Sequence, residues 1–170
     1  LKVLEIACGT GEAIDFLSSN YSNFELYAID LSEAYLEKAK EKVKNNLEVN
    51  FQKMAAEDLK FSNDEFDIVY CCFLHHELPQ EIRKKSFEEA YRVLKPGGKF
   101  VMVDSVQKGD QPDFDWALHN FPIEFHEPFY KNYTQKQVIE LHQGLNITNL
   151  QEEVQLLSKS FSYIKGEENS

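Results

Sequence analysis

The first seventeen residues constrain the fold more than any other stretch. Lys2 to Ala7 is a near-continuous apolar run closed by Gly9-Thr10-Gly11, after which Ala13, Ile14, Phe16 and Leu17 recur at helical spacing. This reads as a strand, a tight glycine loop and a helix, and the pattern repeats. Phe24 to Ile29 forms a second strand ending in Asp30, and Ser32 caps a helix through about Val43 with Ala34, Leu36, Ala39 and Val43 on its inner face. Leu47 to Met54 alternates Leu47, Val49 and Phe51 on one side, as a half-buried strand near a sheet edge does. Phe66 to Phe73 is apolar almost throughout, which suits a central strand. Pro79 opens a helix lined by Ile82, Phe87, Ala90, Val93 and Leu94. Lys95-Pro96-Gly97-Gly98 is expected to end that helix and turn the chain into a fifth strand, Lys99 to Ser105.

Strands alternating with helices imply right-handed crossovers, hence an α/β fold with a mostly parallel, doubly wound sheet. Ligands of such sheets bind at the carboxyl ends of the strands. Those ends fall at Ala7 to Gly11, Asp30, Met54 to Asp58, Cys71 to Glu77 and from Asp104 onward. After Ser105 the periodicity stops. Gln107 to Tyr133 is predicted to be a long irregular segment, and its aromatic content (Phe114, Trp116, Phe121, Phe125, Phe129, Tyr130, Tyr133) favours a packed lid over disorder. Thr134 to Gln143 is expected to return to helix, and Asn146 to Val154 with Leu157 to Lys165 to form a terminal hairpin around Gln155-Leu156. The expected organisation is one domain: residues 1–105 as the ligand-binding core, 106–133 as the aromatic lid, and 134–166 as the terminal helix and hairpin.

Composition excludes several classes. Eighteen basic residues against 29 acidic ones give a net charge of −11, which repels a nucleic-acid backbone. No apolar stretch approaches the roughly 20 residues that span a bilayer, and the first residues lack a secretory layout, so the expectation is a soluble cytoplasmic protein. Cys8, Cys71 and Cys72 lie in strand-like apolar runs and read as reduced core thiols rather than a disulfide frame or a metal site.

Both dinucleotides and S-adenosylmethionine use a glycine loop after a first strand. A dinucleotide fingerprint read from Gly9 and Gly11 wants a small residue where this chain has Ile14, and its pyrophosphate would meet Glu12 at the helix start. A nicotinamide oxidoreductase is therefore disfavoured. S-adenosylmethionine has no phosphate and carries a sulfonium and an ammonium, so acids at Glu5 and Glu12 suit it. Glycines let the backbone approach its methionine portion. Asp30 stands about twenty positions after Gly11, at the end of the second strand, where a carboxylate can accept hydrogen bonds from both ribose hydroxyls. Leu31 beside it can cover the adenine face.

Together these residues resemble the class I, seven-strand S-adenosylmethionine-dependent methyltransferases, especially the group containing the ubiquinone/menaquinone C-methyltransferases and many small-molecule enzymes. The resemblance spans about Leu1 to Asp104. Besides Glu5 to Gly11 and Asp30, it rests on Ala56-Glu57-Asp58-Leu59-Lys60-Phe61, Phe66-Asp67-Ile68-Val69, Leu74-His75-His76-Glu77-Leu78 and Leu94-Lys95-Pro96-Gly97-Gly98. It implies a Rossmann-like sheet of seven strands with an antiparallel terminal strand and a cofactor site built from Glu5, Ala7, Gly9, Gly11, Asp30, Leu31, Ala56, Glu57 and Cys72. Two departures stand out. The group often has glycine where this chain has Ala7, and an aspartate for the adenine amino group where it has Ala55, which leaves backbone groups or Glu57 for that contact. Members usually place a helix or two ahead of the first strand. If the chain is complete, their covering role is expected to fall to Gln107–Tyr133; if it is a fragment, part of the acceptor site belongs to residues preceding Leu1.

The expected activity is methyl transfer to a small, apolar or aromatic acceptor. Transfer needs placement, exclusion of water and, for a hydroxyl or activated carbon, removal of a proton. His75 and His76, after the fourth strand, are the candidate bases, since imidazole titrates near neutrality; paired histidines there also serve to brace the loop. Trp116, Phe121, Phe125, His126 and Tyr130 are the candidate acceptor contacts. The alternative is a cofactor-binding regulatory or scaffold subunit with the same fold and no turnover.

Overall fold

The computed structural model describes residues 1–45, 47–124, 126–135 and 138–167. Among them the strands are β1 (Lys2–Ile6), β2 (Glu25–Asp30), β3 (Val49–Lys53), β4 (Phe66–Cys72), β5 (Leu94–Ser105), β6 (Ile147–Gln155) and β7 (Ser158–Lys165). The helices are α1 (Glu12–Asn20), α2 (Glu33–Lys40), α3 (Gln80–Val93), α4 (Asp115–Glu124) and α5 (Tyr130–Gln135), with short 3-10 turns at His75–Glu77, Pro112–Phe114 and Val138–His142. The seven strands form one sheet in the order β3-β2-β1-β4-β5-β7-β6. β1 to β5 run parallel, and β7 pairs antiparallel with both β5 and β6. The fold is the expected Rossmann-like α/β arrangement, with β4 at the centre and β3 at an edge.

The period-2 alternation of the strands divides the core between the two faces of the sheet. Val3, Leu26 and Ala28 pack with Ile14 of α1 and with Leu36 and Ala39 of α2. Leu4, Ile6, Val69, Cys71, Phe100 and Met102 point the other way, onto Phe87, Ala90 and Val93 of α3. An apolar hollow of about 290 Å³ lies on the α1 side, between Val3, Leu17, Tyr21, Phe24 and Ile68; none of the candidate site residues lines it.

Four expectations are corrected. The second helix ends at Lys40 rather than Val43, because residues 41–45 leave helical geometry in a chain of turns. Lys95 to Gly98 does not separate helix from strand. β5 begins at Leu94, and its pairing with β4 jumps from Phe66↔Leu94 to Ile68↔Lys99, so these residues form a bulge with Gly97 at φ 76. The segment from Gln107 to Tyr133 is not irregular but contains α4 and most of α5. The helix expected over Thr134 to Gln143 is instead the end of α5 and the turn Val138–His142.

Candidate functional site

β1 leads into the glycine loop with Ala7 at φ 58, Gly9 at φ 55 and Gly11 at φ 82. A left-handed conformation costs a residue with a Cβ about 1–2 kcal/mol, which explains a preference for glycine at the Ala7 position. The two glycines do different work. A Cβ on Gly11 would come within 2.9 Å of the Ala39 Cα, so this residue lets the loop lie directly on α2. A Cβ on Gly9 would meet nothing within 4 Å, so Gly9 borders open space above the strand ends.

Asp30 closes β2 and is fixed between the loop and α2. Its Oδ2 accepts from the Gly9 N–H at 2.9 Å and its Oδ1 from the Ser32 N–H at 2.8 Å. Each carboxylate oxygen keeps a further lone pair for a ligand hydroxyl. Glu5 lies on the same face of the sheet, 2% exposed, and its Oε2 has no hydrogen-bond partner among the described residues. Burial pushes its pKa up to about 7. The Tyr70 hydroxyl offsets part of that rise without reaching hydrogen-bond geometry, and the charge of Asp30 adds to it. Glu12, by contrast, faces outward and pairs with Lys42.

Beside Asp30, the Met54 N–H donates to the Asp30 carbonyl at 3.1 Å, and a turn closed by the Asp58 N–H on the Ala55 carbonyl presents half-buried Ala56 and Glu57. Leu31 is 69% exposed at the rim. Cys72 ends β4, partly exposed; burial pushes its thiol up to about 11 and that of Cys8 to about 12, with the charge of Glu5 adding in both cases, so both stay protonated at neutral pH. At the glycine loop Asp30 and Glu5 offer two carboxylates, the second with an unpartnered oxygen, Glu57 adds a third beside them, and none of these described site residues is a cation. That donor set suits a ligand carrying positive charge and a diol, which is the chemistry of S-adenosylmethionine.

The structure separates the two histidines. His75 is 1% exposed and stacks on Phe87 with ring centroids 4.1 Å apart. Its Nδ1 lies 3.7 Å from the Cys71 Sγ and its Nε2 lies 3.4 Å from the Ser86 Oγ. Burial pushes its pKa down to about 4. Arg83 braces this loop by donating to the His75 and Leu78 carbonyls, each at 2.8 Å. His76 instead lines a cavity of about 220 Å³ together with Phe73, Ser105, Ala117, Leu118, Phe121, Tyr130 and Leu157. Its Nδ1 lies 2.6 Å from Oδ1 of the fully buried Asp104. Asp104 also accepts from the backbone N–H groups of His75 and Ser105, both at 2.7 Å. Burial alone would lower the pKa of His76, but the hydrogen bond and charge of Asp104, with Glu77 and Glu127 adding, raise it.

Phe121 and Tyr130 therefore share a cavity with His76. Trp116, 67% exposed, lines a neighbouring hollow with Lys108, Leu118 and His119, and His126 is exposed at φ 56. Phe125 lies outside the described residues. The sequence puts Asp104 and Ser105 at a ligand-side strand end but assigns neither a role in the site. The available signal was a carboxylate ending the apolar run Phe100 to Val103 at the carboxyl end of a strand.

A methyltransferase-domain family matches residues 3–98 of the chain. A ubiquinone/menaquinone biosynthesis C-methyltransferase of Geotalea daltonii is 32% identical over 107 residues, covering 61% of this chain and 45% of that protein. The Rickettsia prowazekii protein of the same name is 35% identical over 131 residues, covering 72% and 52%. The chain thus spans about half the length of the curated relatives it matches. A solved S-adenosylmethionine-dependent methyltransferase of Methanosarcina mazei superposes with a TM-score of 0.71 at 19% identity, over 98% of this chain and 93% of that one. With the family match covering more than half of its residues and the strand order described above, the chain belongs to the class I S-adenosylmethionine-dependent methyltransferases.

Proposed function

We propose that this chain binds S-adenosylmethionine across the carboxyl ends of β1, β2 and β4 and transfers its methyl group to a small, largely apolar acceptor in the cavity lined by Phe121 and Tyr130. The observation that carries the reading is the pair of carboxylates at the glycine loop: Asp30, anchored by Gly9 and Ser32, and Glu5, buried with an unpartnered oxygen. When bound, the cofactor supplies a methyl group on a positively charged sulfur. Asp30 would hold the ribose hydroxyls. Glu5 would balance the positive charge of the methionine portion, Gly9 and Ala7 would border it, and Gly11 would keep the loop on α2. Leu31, Ala56 and Glu57 would enclose the adenine, and Cys72 would pass the methionine portion as a neutral, protonated thiol. His75, enclosed by Phe87, Cys71 and Ser86, would hold the loop rather than meet a ligand. Excluding water around the acceptor falls to α4 and α5.

Calorimetry with S-adenosylhomocysteine tests the cofactor site. The unaltered chain is expected to bind, and Asp30→Ala to weaken binding by roughly 10- to 100-fold, the range for losing hydrogen bonds to a charged group. A thermal melt checks that the variant is folded. If the unaltered chain shows no heat of binding, the reading fails.

A further inference from the structure

We infer that Asp104 and His76 form a proton-accepting pair for the acceptor, and that the acceptor is a small neutral ring compound bearing a weakly acidic hydroxyl. The inference rests on the cofactor reading above and deepens it.

The geometry is that of an oriented base. Asp104 is fully buried, and two backbone N–H groups, those of His75 and Ser105, fix its carboxylate. The remaining hydrogen bond, 2.6 Å to Nδ1 of His76, holds the imidazole in one orientation and assigns its proton to Nδ1 in the neutral ring. Nε2, 4.0 Å from the Glu77 Oε1, then carries the lone pair. His76 is 9% exposed, and the ring borders the cavity of about 220 Å³. The ionisable groups around His76 are Asp104 on β5, Glu77 and His75 on its own turn, Glu127 before α5, and Tyr130 and Tyr133 on α5. The acids among them favour a protonated imidazole and so strengthen Nε2 as a proton acceptor.

The cavity wall narrows the acceptor. Phe73, Leu118, Phe121, Tyr130 and Leu157 present carbon, and among the described residues no lysine, arginine, aspartate or glutamate lines it. An ammonium would therefore go unpaired, and an anion would find only the imidazole of His76. The volume lies below the 300–1,000 Å³ usual for larger ligands, which suits a single ring. The two wall hydroxyls, those of Ser105 and Tyr130, are hydrogen-bonded to each other at 2.5 Å.

The step balances without a further reactant. The acceptor O–H proton passes to Nε2 of His76, the oxygen forms a bond to the methyl carbon, and the S–CH3 bond breaks with its electron pair moving to sulfur. The products are the methyl ether, S-adenosylhomocysteine and one proton, which His76 returns to solvent.

The experiment compares two acceptors of similar shape: phenol, which keeps its proton until about pH 10 as tyrosine does, and 4-nitrophenol, already ionised in mildly alkaline buffer. Methyl transfer from labelled S-adenosylmethionine is measured for the unaltered chain, His76→Gln and Asp104→Asn, with S-adenosylhomocysteine affinity measured in parallel. We expect His76→Gln to lose about 100-fold or more on phenol, the usual contribution of a general base, and less than about tenfold on 4-nitrophenol, with cofactor affinity unchanged. Asp104→Asn should fall in the same direction. Because that substitution also disturbs the His75 and Ser105 amides and can unfold the loop, His76→Gln decides. Equal losses on both acceptors would make the pair structural and overturn the proposal, as would cofactor binding by the unaltered chain with neither phenol methylated. Failure to bind S-adenosylhomocysteine at all would instead remove the cofactor reading.

Discussion

A carboxyl group with one unbonded oxygen and a pKa of about 7 is only partly ionised in neutral solution. A cation placed beside Glu5 favours its charged form, so binding should expel the remaining proton. The observed calorimetric enthalpy of S-adenosylmethionine binding at pH 7 is then expected to vary with the ionisation enthalpy of the buffer, reporting up to about half a proton released. Glu5→Gln should abolish the variation while the chain still binds. A buffer-independent enthalpy in the unaltered chain would show that Glu5 does not meet the cofactor's charge. Glu5 and Asp30 were legible in the sequence because a carboxylate at a strand end beside a glycine loop has few structural uses. The distinction between His75 and His76 was not. It depends on which ring α3 covers with Phe87 and which one Asp104 reaches, and these partners stand 12 and 28 positions away in the chain.

Among the elements, β1, α1, β2, α3 and the terminal hairpin were readable because their apolar residues repeat at the period of the structure they form. α4 was not. Its sequence, Asp115-Trp116-Ala117-Leu118-His119-Asn120-Phe121-Pro122-Ile123-Glu124, has a proline inside and leaves Trp116 and Ile123 in solvent. Among the described residues, Leu118 and Phe121 pack it against Val106, Tyr130 and Val154. A segment held by so small a cluster should open on its own. Leu118→Ala is expected to weaken it by about 2 kcal/mol, roughly thirtyfold in amide exchange across residues 106–135, with exchange in β1 and β4 unchanged. Uniform acceleration throughout the sheet would mean that this segment and the core unfold as one unit. The bulge at Lys95 to Gly98 escaped notice for a different reason: proline and glycines mark a departure from regular geometry without saying whether the strand ends or absorbs it.

For the whole molecule, the buried imidazoles set the response to acid. His75 and His142 each have a folded pKa of about 4 against the ordinary 6.5, so the unfolded chain takes up their protons first. Their contribution is complete above pH 6.5 and is lost as pH falls to about 4. Glu5 acts oppositely, since its pKa rises from 4.5 to about 7: its contribution is present below pH 4.5 and is lost as pH rises through 7. The raised pKa of His76 likewise favours the folded state below pH 6.5 and stops doing so as pH climbs above its folded value. Between pH 4.5 and 6.5 two groups outweigh Glu5, and stability should increase by roughly 2 kcal/mol. Urea denaturation at the two pH values measures this, and a midpoint that falls with rising pH would contradict the burial of the two imidazoles.

The strand order also carries a temporal consequence. β7 follows β6 in the chain yet sits between β5 and β6, so β6 has no partner until β7 arrives. During synthesis the edge of β5 that ends in Asp104 and Ser105 therefore stays bare after every other strand has emerged from the ribosome. An unpaired strand edge recruits other chains. A nascent chain whose emerged part ends between residues 155 and 158 would present that edge to a chaperone.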